Sequence, residues 1–235
     1  MYYNLIMVDL SLVRPEHLWY AVGIITSDGN LSIDKRHINI TSKDKDLLEK
    51  IKKSLLLKNR IGKKARGYEK EKKYYVLQFG DVKFYQFLEE IGLTVKKSLT
   101  LKEIKVPDKS FSDFLRGIID GDGCITTWIH KSNGNRQWAL QIASGSIIFS
   151  NWLKKSVEKL FLVKGQINSY RGQTKKNNLY TVRFGKFASK VILKKIYYTN
   201  CVCLDRKLEK VVECLKSENG LSRYGDVVSD WNLIK

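Results

Sequence analysis

Leu115-Arg116-Gly117-Ile118-Ile119-Asp120-Gly121-Asp122-Gly123 decides how this chain is read, because Ala21-Val22-Gly23-Ile24-Ile25-Thr26-Ser27-Asp28-Gly29 has the same pattern 94 residues earlier. Three further pairs follow in the same order. Ile40-Thr41-Ser42 matches Ile142-Ala143-Ser144 at an offset of 102, and Val76-Leu77-Gln78-Phe79-Gly80 matches Thr181-Val182-Arg183-Phe184-Gly185 at 105. Lys96-Lys97-Ser98-Leu99 matches Arg206-Lys207-Leu208-Glu209 at 110. An offset that grows steadily along the chain is what a duplication with small insertions leaves behind.

The pattern around each copy is the same. Apolar periodicity predicts helices over 15–26 and 111–120, with Pro15 and Ser110 at their starts. Alternating stretches predict strands over 30–34 and 36–41, and over 124–130 and 136–143 around the turn Ser132-Asn133-Gly134-Asn135. Helices over 45–56 and 147–161 come next, then strands over 59–66, 74–79, 166–170 and 179–184. Helices over 82–91 and 186–197 close the units, and a further one is expected over 206–215. Each unit is therefore α-β-β-α-β-β-α, and the class is α+β with antiparallel sheets. The expected division is a first unit over 1–101, a linker over 102–110 that carries Pro107, a second unit over 111–216 and a polar tail over 217–235.

Charge points to the partner. The chain of 235 residues carries 43 Lys and Arg against 24 Asp and Glu, a net +19. Such a field attracts polyanions, nucleic acid first among them. No apolar run approaches the ~20 residues of a spanning helix, and no secretory signal stands at the start. Cys124, Cys201, Cys203 and Cys214 fit neither a zinc site nor a disulfide framework, so they read as reduced thiols in a reducing compartment.

In both copies an aspartate ends an apolar helix, where the negative end of the helix dipole opposes it. Gly23 and Gly117 permit another backbone to approach closely. Two such helices side by side would bring Asp28 and Asp122 together as like charges, a place for a divalent cation whose coordination a phosphate can share. The competing reading is that each Asp-Gly pair simply caps a turn.

The two segments resemble the LAGLIDADG motif of homing endonucleases, over about residues 16–215, in the single-chain form with two repeats. The second copy is the closer match; in the first, Thr26 replaces the earlier aspartate and Ser27 the small residue. The resemblance implies a saddle of antiparallel sheets on DNA with the motif helices packed between the units. It implies metal ligation by Asp28 and Asp122, with the backbone carbonyls of Ser27 and Gly121. It implies Mg²⁺-dependent hydrolysis of both DNA strands, with Mn²⁺ or Ca²⁺ able to replace Mg²⁺ for binding. Lys97 and Lys207, with Lys96 and Arg206 as neighbours, are candidates to stabilise charge at the scissile phosphates, and Ser42 and Ser144 to position water. Asp120 reads as a structural residue at the helix end.

Strand parity counted from the acidic motif selects the DNA-facing side chains. In the first unit they are Asn30, Ser32, Asp34, His37, Asn39, Arg60, Lys64, Arg66, Val76 and Gln78. In the second they are Cys124, Thr126, Trp128, His130, Gln137, Gln141, Gln166, Asn168, Tyr170, Thr181 and Arg183. Ile125, Ile129, Leu140, Ile142, Val182 and Phe184 would form the opposite, apolar face. Basic loops over 63–73 and 171–176 would follow the phosphate backbone. The target is expected to be long, double-stranded and non-palindromic, and the protein a monomer encoded within an intron, needing no protein partner. An RNA-binding intron maturase and a non-catalytic DNA-binding protein on the same scaffold are the alternatives.

Overall fold

A computed structural model describes residues 8–65, 71–171 and 178–217. The first unit runs α1 (Pro15–Asp28), β1 (Gly29–Leu31), β2 (His37–Ser42), α2 (Lys45–Ser54), β3 (Ile61–Lys64), β4 (Tyr74–Gly80) and α3 (Val82–Glu90). A single 3₁₀ turn, Asp108–Ser110, ends the linker. The second unit runs α4 (Phe111–Asp122), β5 (Gly123–Ile129), β6 (Arg136–Ser144), α5 (Ile147–Phe161), β7 (Gln166–Tyr170), β8 (Leu179–Phe184), α6 (Lys186–Ile196) and α7 (Asp205–Lys216). Each unit has one four-stranded antiparallel sheet, in the orders β1-β2-β4-β3 and β5-β6-β8-β7. The α+β class and the repeated unit are as expected from the sequence. Among the described residues no helix is long and apolar enough to cross a membrane, and all four cysteines are free thiols.

The seam between the units is α1 against α4. Residues Trp19 to Thr26 of α1 are all buried, as befits a helix that is apolar on every side. A Cβ placed on Gly23 would stand 2.2 Å from the Phe114 carbonyl oxygen, and one on Gly117 would stand 2.3 Å from that of Tyr20. The two glycines face each other and let the backbones touch. Trp19 and Phe114 continue the contact edge to face, with ring centroids 6.5 Å apart.

Paired residues on adjacent strands share a face. The inward set of the first sheet includes Leu31, Ile38 and Phe79 in one row, all buried. In the second, Leu140 pairs with Phe184 and Ile142 with Val182, again buried. On the other side Asn30, Asn39 and Gln78 form one row, and Cys124, Gln141, Arg183 and Gln166 the corresponding one. Parity was thus correctly assigned over the paired strands, with one exception: Ile129, expected on the apolar face, is 53% exposed, because it closes β5 beyond the edge of the core.

Boundaries differ where side chains compete for the backbone. Both motif helices run two residues further than the periodicity suggests, so that Asp28 and Asp122 are their last residues. β1 stops at Leu31, which moves Ser32 and Asp34 from a strand into a turn. The reason is Asp34, whose carboxylate accepts the backbone N–H groups of Arg36 (3.1 Å) and His37 (3.0 Å), with Lys35 at φ 55°. β3 begins at Ile61, so Arg60 lies just before it, exposed. Arg66 and most of the two basic loops (66–70 and 172–177) fall outside the described residues, as do 218–235 of the tail.

Candidate metal and nucleic-acid site

Gly29 and Gly123 turn the chain straight from a helix into a strand. Their φ angles, −85° and −78°, are open to any residue. Glycine is needed for space: a Cβ on Gly29 would stand 2.6 Å from the Ile25 carbonyl oxygen, and one on Gly123 2.6 Å from that of Ile119. The tight exit leaves each aspartate at the helix end with its sheet beginning immediately after it.

The glycine contacts on the seam bring these two ends together. A Cβ on Gly121 would stand 1.9 Å from Ser27 Oγ and 3.2 Å from a carboxylate oxygen of Asp28. The Asp28 carboxylate of the first unit therefore reaches the last turn of α4. Two lysines lie beneath. Lys97 Nζ donates to the Gly29 carbonyl (2.5 Å), and Lys207 Nζ to those of Ile119, Asp120 (2.7 Å) and Gly121 (3.2 Å). Cations are thus placed on the carbonyls that carry the negative end of each helix dipole. Both are buried, at 7% and 8% exposure. Burial pulls Lys97 down to about 8 against the pull of Asp122 and Asp28, and it lowers Lys207 against Asp120, Asp28 and Asp122. Asp122 is open to solvent on one side, yet the surrounding protein desolvates it enough to raise its carboxyl, with Lys97 and Lys207 opposing. Each lysine interacts with both carboxylates, so the four groups form one electrostatic unit.

A cavity of about 210 Å³ opens at Asp122 and is lined by Ser27, Lys97, Ser98 and Ser144 among others. Ser144 and its counterpart Ser42 each accept, at 3.1 Å, a backbone N–H two residues on, from Ser146 and Asp44. Of the neighbours considered with the lysines, Lys96 stands at φ 56°, and Arg206 forms a bidentate pair with Asp44 across the units. Asp120 is 1% exposed and accepts from Tyr20 (2.8 Å), Tyr197 (2.6 Å) and the Leu204 N–H (2.7 Å). It ties α1 to the second unit, as a structural residue does. Arg116, within the motif, is a residue the sequence did not single out. It is 1% exposed and donates to the carbonyls of Val202 (2.8 Å) and Ile196 (2.6 Å) and to Asp113 (2.7 Å).

The open faces of both sheets begin at these helix ends. In the first unit Asn30, Gln78 and Lys64 are exposed, and His37, Asn39 and Val76 half-buried. His37 Nδ1 is 2.5 Å from Asp34 Oδ2; this bond, with the backbone N–H groups of His37 and Arg36, pulls Asp34 down to about 2. In the second unit Cys124, Trp128, Gln166, Asn168 and Tyr170 are exposed, and Thr126, Gln137, Gln141, Thr181 and Arg183 half-buried. His130 sits in the hairpin turn, bonded to Ser132 at 2.9 Å.

Among the described residues no group of three or more His, Cys, Asp or Glu side chains could hold a metal. The oxygen donors at the seam are Asp28, Asp122 and the helix-end carbonyls. That set suits Mg²⁺, which binds one or two carboxylates and keeps several waters.

Residues 16–92 match the family model for the LAGLIDADG-like domain. No curated protein sequence matches the chain. Among solved structures, the homing endonuclease I-WcaI bound to its DNA recognition sequence is similar, with TM-score 0.60 and 12% identity over 85% of this chain and 87% of that one. Mesophilic variants of the homing endonuclease I-DmoI give TM-score 0.53 and 14% identity over 83% of this chain and 96% of theirs. Full-length DUF199/WhiA from Thermatoga maritima gives TM-score 0.53 and 16% identity; 94% of this chain is covered, but only 66% of that one. The first unit thus matches the LAGLIDADG-like domain over residues 16–92, and the two units together have the fold of these solved structures.

Proposed function

We propose that the chain is a site-specific endonuclease that hydrolyses both strands of a long, non-palindromic DNA target, with Mg²⁺ held by Asp28 and Asp122 together with the Ser27 and Gly121 carbonyls. The observation that carries this reading is the reach of the Asp28 carboxylate to the last turn of α4, at the point where both polar sheet faces begin. Two solved relatives of the fold, I-WcaI and I-DmoI, are homing endonucleases, the first bound to its DNA recognition sequence.

Bound metal supplies charge to polarise a phosphate oxygen and to ease the ionisation of water. The chain's own residues prepare the place for it. Asp28 and Asp122 concentrate negative charge at one point of a positive molecule. Lys97 and Lys207 neutralise the helix ends, and their charge opposes the burial that raises the Asp122 carboxyl. Lys97 also lines the cavity at Asp122, where its charge can act on a phosphate. The two sheets bind and orient the duplex over the seam, and both units lie in one chain, so a monomer suffices. An intron is the proposed setting of the coding sequence.

Cleavage of the intron-insertion locus in Mg²⁺ tests this. Asp28→Asn and Asp122→Asn are each expected to abolish cutting while leaving binding to the same duplex intact. Unchanged cutting by Asp122→Asn overturns the proposal. A second reading, DNA binding without cleavage, is favoured by Lys207, whose ammonium occupies the Gly121 carbonyl that the metal would use. Tight binding with no cutting by the unaltered protein, in either Mg²⁺ or Mn²⁺, would establish it.

A further inference from the structure

On the open face of the second sheet the Arg183 guanidinium lies over the Trp128 ring, 5.3 Å from its centroid. The two residues come from different strands that are not neighbours. Arg183 on β8 pairs with Gln141 of β6, and Trp128 on β5 pairs with Gln137 of the same strand. Between those two glutamines on that face stands Ala139, whose small side chain is fully buried. Cation–π contact fixes the guanidinium plane and removes rotamer freedom that an isolated surface arginine keeps. A fixed planar fork on a groove-facing sheet is suited to bidentate contact with guanine O6 and N7.

The pseudo-symmetric position in the first unit differs. Gln78 pairs with Asn39 as Arg183 pairs with Gln141, and Asn39 pairs with Asn30 as Gln141 pairs with Cys124. The first row is Asn30-Asn39-Gln78, all amides, whose bidentate partner is adenine N6 and N7. We propose that Arg183, braced on Trp128, reads a guanine, and that its counterpart Gln78 reads an adenine. The two half-sites of the target then differ at the pair of positions related by the pseudo-dyad. This rests on the DNA-recognition reading above and extends it to named bases.

The test is selection of binders from a pool of randomised duplexes in Ca²⁺, with the full chain. The unaltered protein is expected to enrich guanine at one position of one half-site and adenine at the mirrored position of the other. Arg183→Gln converts that guanine to adenine, Gln78→Arg converts the mirrored adenine to guanine, and the double exchange swaps the pair. Discrimination at each should be roughly 5- to 150-fold, the range of one good bidentate pair. Trp128→Ala lowers discrimination at the guanine alone. All these side chains lie on an open face, and unchanged thermal melts confirm that each variant folds. Enrichment of a sequence that Arg183→Gln leaves unaltered at every position overturns the inference while the DNA-recognition reading stands. If the unaltered protein enriches no sequence, that reading falls, and the inference falls with it.

Discussion

Asp120 and Lys97 show how much a single side chain can decide here. The Asp120 carboxylate, whose protonation burial favours, receives three buried donors: Tyr20 from α1, Tyr197 from the end of α6 and the Leu204 N–H. Asp120→Ala orphans them, and each orphaned donor costs about 1–3 kcal/mol. We expect a loss on the order of 3 kcal/mol in urea unfolding, with no change in the metal requirement of whatever activity remains. Lys97 is the pH-sensitive counterpart. Its folded value of about 8 lies below its ordinary 10.5, so between those pH values the unfolded chain holds more protons than the folded one. Stability from this group therefore rises with pH across that window, and below pH 8 the full cost of burying the charge applies. The unfolding free energy of the unaltered protein relative to Lys97→Met should climb from pH 8 to pH 10.5 and be level beneath it. A flat difference across the window would show that the lysine is not desolvated as described.

At the scale of elements, the seam between α1 and α4 is held by shape before chemistry. Gly23 and Gly117 admit backbone atoms at distances that no Cβ tolerates. Gly23→Ala should cost about 3 kcal/mol or more through overpacking, measured by chemical denaturation. It should also push the two aspartates apart, so metal-dependent cleavage should fall further than stability predicts. Gly117→Ala should act alike, since it meets the same contact from the other side. The strands obey a simpler rule. Alternation told which face each side chain takes, because a period of two leaves only two choices and burial selects one. It does not tell where a strand ends: β1 keeps its expected faces but stops at Leu31, because the Asp34 carboxylate captures two backbone N–H groups.

At the scale of the molecule, the net charge of +19 meets the open face of two sheets. Binding to duplex DNA should weaken steeply with salt. Six to ten phosphate contacts would lose about 10³- to 10⁵-fold in affinity between roughly 50 and 200 mM. A shallow slope in a salt titration would remove the polyanion reading. The units are also clasped at their flanks by Arg206 on Asp44 and by Lys50 on Asp205 and the Cys203 carbonyl. These pairs are partly exposed, so each contributes about 1 kcal/mol or less.

The amino-acid sequence by itself determined the duplication, the order of helices and strands, the faces of the paired strands and the two aspartates at equivalent helix ends. Each of these is encoded by local periodicity or by glycine spacing, which a single stretch of chain carries. Only the tertiary structure decided that Lys97 and Lys207 turn to helix-end carbonyls beneath the carboxylates, that Arg206 is taken up by Asp44, that Arg116 is buried among carbonyls and that Arg183 rests on Trp128. These are pairings of long, flexible side chains across large sequence separations. Their direction depends on which carbonyl, carboxylate or ring the fold brings within reach, and no spacing along the chain records that.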